Sequence, residues 1–89
     1  MDSSRALEIA HETARIEELI RDLNCQWDMP TCLMREHLEA ARFFLLGSMP
    51  EELSLTVKLA MDILPEIEDK RLRRRIAAFL ESQREHAVT

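Results

Sequence analysis

The chain has very little of the material from which turns, strands and membrane spans are made. Its 89 residues include one glycine, three prolines and no tyrosine. Val and Ile are scarce beside Leu, Ala, Glu and Arg, which are good helix formers. The longest apolar run, residues 43–46, is far shorter than the roughly 18 residues that a membrane span needs. From this composition we expect an all-α protein that has no contact with a membrane. Because no signal-peptide pattern opens the chain, we expect it to be cytoplasmic.

The sequence also lacks the motifs on which common active sites and cofactor sites depend. A single glycine cannot build a phosphate-binding loop, and there is no Gly-x-Ser-x-Gly segment. Glu8 and His11 have the Glu-x-x-His spacing of di-iron bundles, but the second such pair is missing. Cys25, Cys32 and His37 lack the paired spacing of zinc ligands. We therefore expect no enzymatic activity, no cofactor, no metal and no small-molecule substrate.

Two cysteines, Cys25 and Cys32, are too few for a disulfide framework. In a cytoplasmic protein we expect two free thiols, with a bridge between them as the alternative.

Length and composition predict a single helical domain that spans residues 1–89. With 46% hydrophobic and 33% charged residues, the chain is typical of globular rather than disordered proteins. At this size a hydrophobic core alone gives only modest stability, so oligomerisation would help.

Apolar residues recur at helical spacing in four segments, which predict a small antiparallel four-helix bundle. The helices are expected at about residues 4–23, 31–46, 49–64 and 70–85, followed by frayed residues 86–89. Asp28 or Thr31 should cap the second helix and Asp69 the fourth. Pro65 should end the third helix at Leu64.

The same spacing predicts which side chains form the core. The first segment supplies one narrow apolar line, and the later three supply one inward line each. The predicted core residues are Ile9, Ile16, Leu19, Ile20, Leu23, Trp27, Met34, Leu38, Ala41, Leu45, Leu53, Val57, Ala60, Leu64, Leu72, Ile76, Phe79, Leu80 and Gln83. His37 lies on the apolar side of the second helix, where we expect a core or interface histidine held by one hydrogen bond.

A very short connection joins the second and third helices. Gly47 is predicted to adopt a left-handed backbone just past the second helix. Ser48 and Glu51 have the spacing of a capping box that would open the third helix. A connection of this length folds two helices into a central hairpin, which turns at Gly47–Glu51.

The third helix is apolar around most of its circumference, because Leu55, Leu59 and Ile63 form a second stripe beside its core line. We expect this stripe to be covered by protein, either because the helix is the centre of the bundle or because it is the face of a dimer. Phe43 projects among charged residues of the second helix. It is either covered by a neighbouring helix or an exposed apolar spot.

The fourth helix begins with five basic residues in six positions, Lys70–Arg75. On a helix Arg71, Arg74 and Arg75 share one side, whereas Arg73 points elsewhere. We expect these basic residues to pair with one of three acidic partners, namely carboxylates of this chain, an acidic protein surface or nucleic acid. The formal net charge of −5 argues against general nucleic-acid binding.

Together these patterns predict a non-enzymatic protein–protein interaction module, such as a small regulator, adaptor or chaperone-like accessory subunit. Its partner is another protein or a second copy of itself, which would make a homodimer. The candidate partner-binding residues are Phe43, Leu55, Leu59, Ile63, Arg71, Arg74 and Arg75. The alternative is a nucleic-acid-binding regulator that uses the basic cluster Lys70–Arg75.

Overall fold

The computed structural model describes the backbone of residues 3–24 and 26–88 and the side chains of residues 6–24 and 26–84. Four α-helices and no strand occur in these ranges, which confirms the predicted all-α bundle. The helices are α1 (Ser3–Leu23), α2 (Met29–Leu46), α3 (Pro50–Ile63) and α4 (Lys70–Val88), and a short 3₁₀ helix (Leu64–Glu66) joins α3 to α4. Among the described helices, none offers the apolar length that a transmembrane segment requires.

The helices form a ring in which α1 packs on α2, α2 on α3, α3 on α4, and α4 on α1. The diagonal pairs α1–α3 and α2–α4 have no Cα atoms within 8 Å of each other in the described ranges. Asp22 of α1 pairs with Arg75 of α4, and Glu12 of α1 pairs with Gln83 of α4. Residue numbers fall along α1 as they rise along α4, so these two helices are antiparallel.

The core lies inside this ring and largely confirms the predicted apolar lines. Every predicted inward residue of α2 and α4 is buried: Met34, Leu38, Ala41, Leu45, Leu72, Ile76, Phe79, Leu80 and Gln83. The other helices contribute the buried residues Ile16, Leu19, Leu23, Val57 and Ala60, against which Ile9, Ile20, Leu53 and Leu64 pack half-buried. Ile67, which follows the 3₁₀ helix, is also fully buried.

The prediction that Trp27 continues the core line of α1 is wrong. Helix α1 ends at Leu23, after which the backbone turns, with Gln26 N–H donating to the Leu23 carbonyl at 3.1 Å. Trp27 is 79% exposed, and the Arg35 guanidinium lies 5.8 Å from the centroid of its ring. Helical spacing places side chains only as far as the helix extends.

Aspartates cap α2 and α4 at their N-termini. Asp28 is the N-cap of α2, and its carboxylate accepts from the backbone N–H of Thr31 at 3.1 Å and from the Thr31 hydroxyl at 2.8 Å. The hydroxyl hydrogen bond, followed by the backbone one, holds the pKa of the Asp28 carboxyl below its ordinary value. Asp69 accepts from the backbone N–H of Leu72 at 3.0 Å, as predicted for α4.

The hairpin between α2 and α3 is present, but its turn differs from the predicted one. Ser48, with φ of 54°, is the left-handed residue, whereas Gly47 has φ of −86°. The capping box of Ser48 and Glu51 is also wrong, because the N-cap of α3 is Met49 and no side chain bonds the first turn. Pro50 starts the helix, since its fixed φ suits the first helical position and it has no N–H that needs a partner.

Two helix ends differ slightly from the prediction. Helix α3 ends at Ile63, one residue early, and Pro65 lies inside the 3₁₀ helix, which tightens the chain instead of stopping it. Helix α4 continues to Val88, beyond the predicted end at 85, because no proline or glycine interrupts it. Thr89 lies outside the described residues.

Candidate protein-binding surface

Helix α3 carries a second apolar side that is only partly covered by the described chain, with Ile63 packed against the core. Leu55 is 59% exposed and Leu59 is 45% exposed, while Ile63 is half-buried. The i, i+4 spacing of the two leucines places them one turn apart on the same face. The prediction that α3 could be the centre of the bundle is wrong, because among the described residues α3 packs on α2, on α4 and on the 3₁₀ helix that follows it, as the ring arrangement requires. These neighbours leave part of the outward side of the helix uncovered.

The neighbouring part of α2 is apolar as well. Because Arg42 donates to Glu17 of α1 at 3.2 Å, the side of α2 that carries Arg42 faces α1. At about 100° per residue, Leu33, Ala40 and Phe44 lie on the other side, toward α3. Leu33 is 37% exposed, and Ala40 and Phe44 are half-buried.

The orientation of α3 follows from the same reasoning. The Arg84 guanidinium of α4 donates to the Met61 sulfur at 3.7 Å, so the side of α3 that carries Met61 faces α4. Leu59 and Ile63 are about 160° away from Met61 around the helix and therefore lie toward α2. Leu55 lies on the outward crest between these two sides.

We call the outward surface of the two helices the hairpin face. It is defined by six apolar residues, Leu33, Ala40, Phe44, Leu55, Leu59 and Ile63. Phe43 extends it over the crest of α2, with its ring edge-on to that of Phe44 at a centroid distance of 5.6 Å. Of the two alternatives for Phe43, the structure shows the exposed one, since 65% of the residue is accessible.

Charged residues beside the hairpin face form an acidic rim. The rim consists of the four exposed carboxylates Glu36, Glu51, Glu52 and Asp62 and the exposed ammonium Lys58. In the described part of the chain none of the four carboxylates has an ion pair or a side-chain hydrogen bond. The hairpin face therefore combines solvent-exposed leucines with unpaired negative charge.

The basic cluster at the start of α4 is only partly used inside the chain. Arg75 forms an ion pair with Asp22 of α1, and the Arg73 guanidinium donates to the Ile67 carbonyl at 2.8 Å. Lys70, Arg71 and Arg74 are exposed and have no ion pair among the described residues.

The predicted partner-binding residues therefore do not form one site. The apolar ones lie on α2 and α3, whereas Arg75 is placed beside α1 by its ion pair with Asp22. Arg71 lines a shallow cleft together with Asp22, Gln26, Asp69, Leu72 and Arg75.

Sequence reasoning missed a small pocket between α1, α3 and α4. Apolar side chains dominate its wall, and Gln83, which is 5% exposed, donates there to Glu12 at 2.7 Å. Its volume is about 80 Å³, well below the roughly 300–1,000 Å³ of small-molecule sites. The lining residues are Glu8, Ile9, Glu12, Leu45, Pro50, Leu53, Ser54, Val57, Gln83 and Arg84. In the sequence, the sign of this pocket was a polar residue, Gln83, at an inward position of α4.

The residues considered for metal chemistry are not brought together. No group of three His, Cys, Asp or Glu side chains among the described residues is placed to hold a metal ion. His37 is half-buried, but it lacks the predicted hydrogen bond within the described chain. Cys32 is a half-buried free thiol, and Cys25 lies outside the described residues, so the expectation of two free thiols stays a prediction.

Comparison of the chain with protein-family models, with curated protein sequences and with solved structures gave no match. The candidate site is therefore argued from its own geometry and charge.

Proposed function

We propose that this protein is a non-enzymatic interaction module of the cytoplasm, a small regulator, adaptor or accessory subunit that docks a protein partner on the hairpin face. The observation that carries the proposal is the exposure of Leu55 and Leu59 one turn apart on the outward side of α3. An apolar pair at i, i+4 spacing on an exposed helix is typical of surfaces that bind another helix.

Leucine at these two positions is only partly used by the described chain, since 59% of Leu55 and 45% of Leu59 stay exposed. Leu, Lys, Glu and Arg have similar helix propensities, so a charged residue would support α3 equally well. The core of α3 is supplied by other residues, chiefly Val57 and Ala60, which are 2% and 1% exposed. Covering a fully exposed leucine is worth roughly 1.5–3 kcal/mol, and about half of that remains to be gained at Leu55 and Leu59 when a partner binds.

The partner is another protein or a second copy of the chain. In either case the hairpin face is the contact, with Phe43, Leu55, Leu59 and Ile63 as its apolar residues.

The test is recovery of the complex from the source cell with a tagged chain under native conditions. The variant Leu55→Ser with Leu59→Ser should lose at least about tenfold of the recovered partner, since two leucines would be left without burial. Leu7→Ser is the matched control, because Leu7 is 61% exposed on α1, outside the hairpin face. The proposal would be contradicted if wild type, the double leucine variant and Leu7→Ser recovered equal amounts of partner. Recovery of an isolated monomer only would contradict it as well.

A nucleic-acid-binding regulator is the second candidate, and a specific observation favours it. Lys70, Arg71 and Arg74 are exposed without an ion pair in the described chain, so they are available to phosphates. A gel shift that weakens steeply with salt and disappears with Arg71→Glu plus Arg74→Glu would support this function. No shift at low salt would remove it.

A further inference from the structure

We propose that the occupant of the hairpin face is a basic amphipathic helix of a partner protein, an inference that rests on the proposed function. The partner helix carries leucine-like side chains on one side and Lys or Arg on both flanks.

The acidic rim sets the charge of the partner. Glu51, Glu52 and Asp62 are exposed around the two leucines of α3 and have no ion pair in the described ranges. Glu36 adds a fourth carboxylate on the α2 side, and Lys58 is the single cation of the rim. A partner with flanking cations gains attraction to this rim and a faster encounter, whereas an acidic partner is repelled.

The shape of the face sets the structure of the partner. Leu59 lies on the side of α3 toward α2, and Leu55 stands one turn away on the outward crest, so the two exposed leucines follow the axis of α3. Side chains at i, i+4 and i+7 of a docking helix match this spacing. An added strand has no place here, because the described chain contains no sheet edge with which it could pair.

A second copy of the chain fits this face poorly. A closed dimer is isologous, so the same rim would meet itself and bring the carboxylates of Glu51, Glu52 and Asp62 near those of the other copy. Lys58 is the one cation of this rim against four carboxylates, and the exposed cations Lys70, Arg71 and Arg74 lie at the start of α4, on a different surface. Pairing that cluster with the hairpin face of a second copy is heterologous, and such contacts lead to open assemblies rather than a closed dimer.

Synthetic helical peptides of about 18 residues, or five turns, provide the test. The first peptide has leucines at i, i+4, i+7 and i+11 with flanking lysines. The second replaces every lysine by glutamate, and the third replaces every leucine by serine. We expect anisotropy titrations to show binding of the first peptide, and binding at least about tenfold weaker for the second and third. Equal binding of the glutamate peptide would overturn the inference.

Two matched variants locate the contact on the protein. Neutralising the α3 rim with Glu51→Gln, Glu52→Gln and Asp62→Asn should weaken the lysine peptide about tenfold and flatten the salt dependence of its binding. The control variant removes three carboxylates that are exposed elsewhere, Glu18→Gln, Glu68→Gln and Glu81→Gln, and should bind like wild type. An equal loss in the control would show general attraction to an acidic protein and would contradict a docking site.

The two proposals fail in different ways. If Leu55→Ser plus Leu59→Ser loses the cellular partner but the rim variant retains it, the proposed function stands. The inference that the partner is a basic helix is then overturned. If light scattering shows a dimer that the same leucine changes convert to monomer, the occupant is a second copy of the chain. That result also overturns the basic helix. Retention of the cellular partner by the leucine variant overturns both proposals.

Discussion

The contact between α1 and α4 and the hairpin face of α2 and α3 use polar side chains in opposite ways. Between α1 and α4 the polar groups are paired inside the chain, through Arg75 with Asp22 and Gln83 with Glu12. On the hairpin face the carboxylates have no partner in the described chain, and large apolar side chains are exposed beside them. The polar groups of the first region are satisfied inside the chain, whereas the hairpin face is exposed, which is the basis for proposing it as a docking surface.

The connectivity explains the difference. The pairs between α1 and α4 join residues that are 53 and 71 positions apart, so no short turn sets the register of these helices. Directional polar contacts can set it instead. The turn at residues 47–49 already fixes the register of α2 and α3, so their outward residues are free to serve binding.

The strongest test of the difference between the two regions substitutes one phenylalanine in each. Phe79 of α4 is fully buried, with the Arg15 guanidinium 5.4 Å from its centroid, whereas Phe43 is 65% exposed. Phe79→Ala should lower the free energy of unfolding by about 3–5 kcal/mol, because it leaves a cavity in the core. Phe43→Ala should change it by less than about 0.5 kcal/mol. Urea unfolding of both variants measures the contrast, and a large loss with Phe43→Ala would show that the hairpin face is part of the core.

The polar contact of Gln83 gives the next largest effect. Gln83→Ala should destabilise the fold by about 1–3 kcal/mol, because it leaves the Glu12 carboxylate without its part-buried donor. A double-mutant cycle with Glu12→Ala, which removes the acceptor, measures the coupling between the two side chains. Additive effects of the two changes would mean that this contact does not hold α1 and α4 together.

Much of the fold was predictable from the sequence because amphipathic spacing controls which side of a helix is buried. The lines through Leu38 and Ile76 were predicted correctly, since each lies within an uninterrupted helix with two neighbours. Trp27 was wrongly placed in the core and the burial of Ile67 was not predicted, because both residues lie outside helices, at positions 24–28 and 67–69, where spacing carries no information.

The candidate site was only partly predictable. The second stripe of α3 signalled an unusual apolar side, but the pattern could not show whether a helix of the same chain covers Leu55 and Leu59. Nor could it show that Asp22 is used by Arg75 while Arg71 is left exposed. Such pairings depend on which helices become neighbours, and this follows from the tertiary arrangement rather than from local spacing.

Acid titration separates a carboxylate that is used inside the chain from those of the rim. The folded-state pKa of Asp28 is lowered by the Thr31 hydrogen bonds, so its contribution to stability is present above the ordinary value of 3.8 and is lost as pH falls through the lower folded pKa. Asp28→Ala should therefore be less stable than wild type at neutral pH, and the difference should shrink below that value. The measurement is urea unfolding from pH 7 to pH 2, about the range over which aspartate titrates.

The rim carboxylates provide the control for this titration. The variant Glu51→Gln with Glu52→Gln and Asp62→Asn leaves the hydrogen bonds between Asp28 and Thr31 in place and should therefore keep the acid dependence that Asp28→Ala removes. A pH-independent difference between wild type and Asp28→Ala would refute the role given to its hydrogen bonds.

Only a small effect on folding is expected where the effect on binding is largest. Leu55→Ser and Leu59→Ser should each lower the free energy of unfolding by about 1 kcal/mol or less, because about half of each residue is exposed in the free chain. Thermal or urea unfolding of the free protein measures this. A loss of about 2 kcal/mol or more would mean that the leucines pack within the chain, and the two regions would no longer differ.

The most direct measurement of the central claim is paramagnetic relaxation of leucine methyl groups by a soluble gadolinium chelate, recorded for the free chain and for the complex. In the free chain the methyls of Leu55, Leu59 and Leu7 should relax strongly, and those of Leu38 and Leu80 should not, in accordance with their burial. On binding, the methyls of Leu55 and Leu59 should become protected while Leu7 stays accessible. Protection of Leu55 and Leu59 in the dilute free chain, or full accessibility in the complex, would contradict the hairpin face as the docking surface.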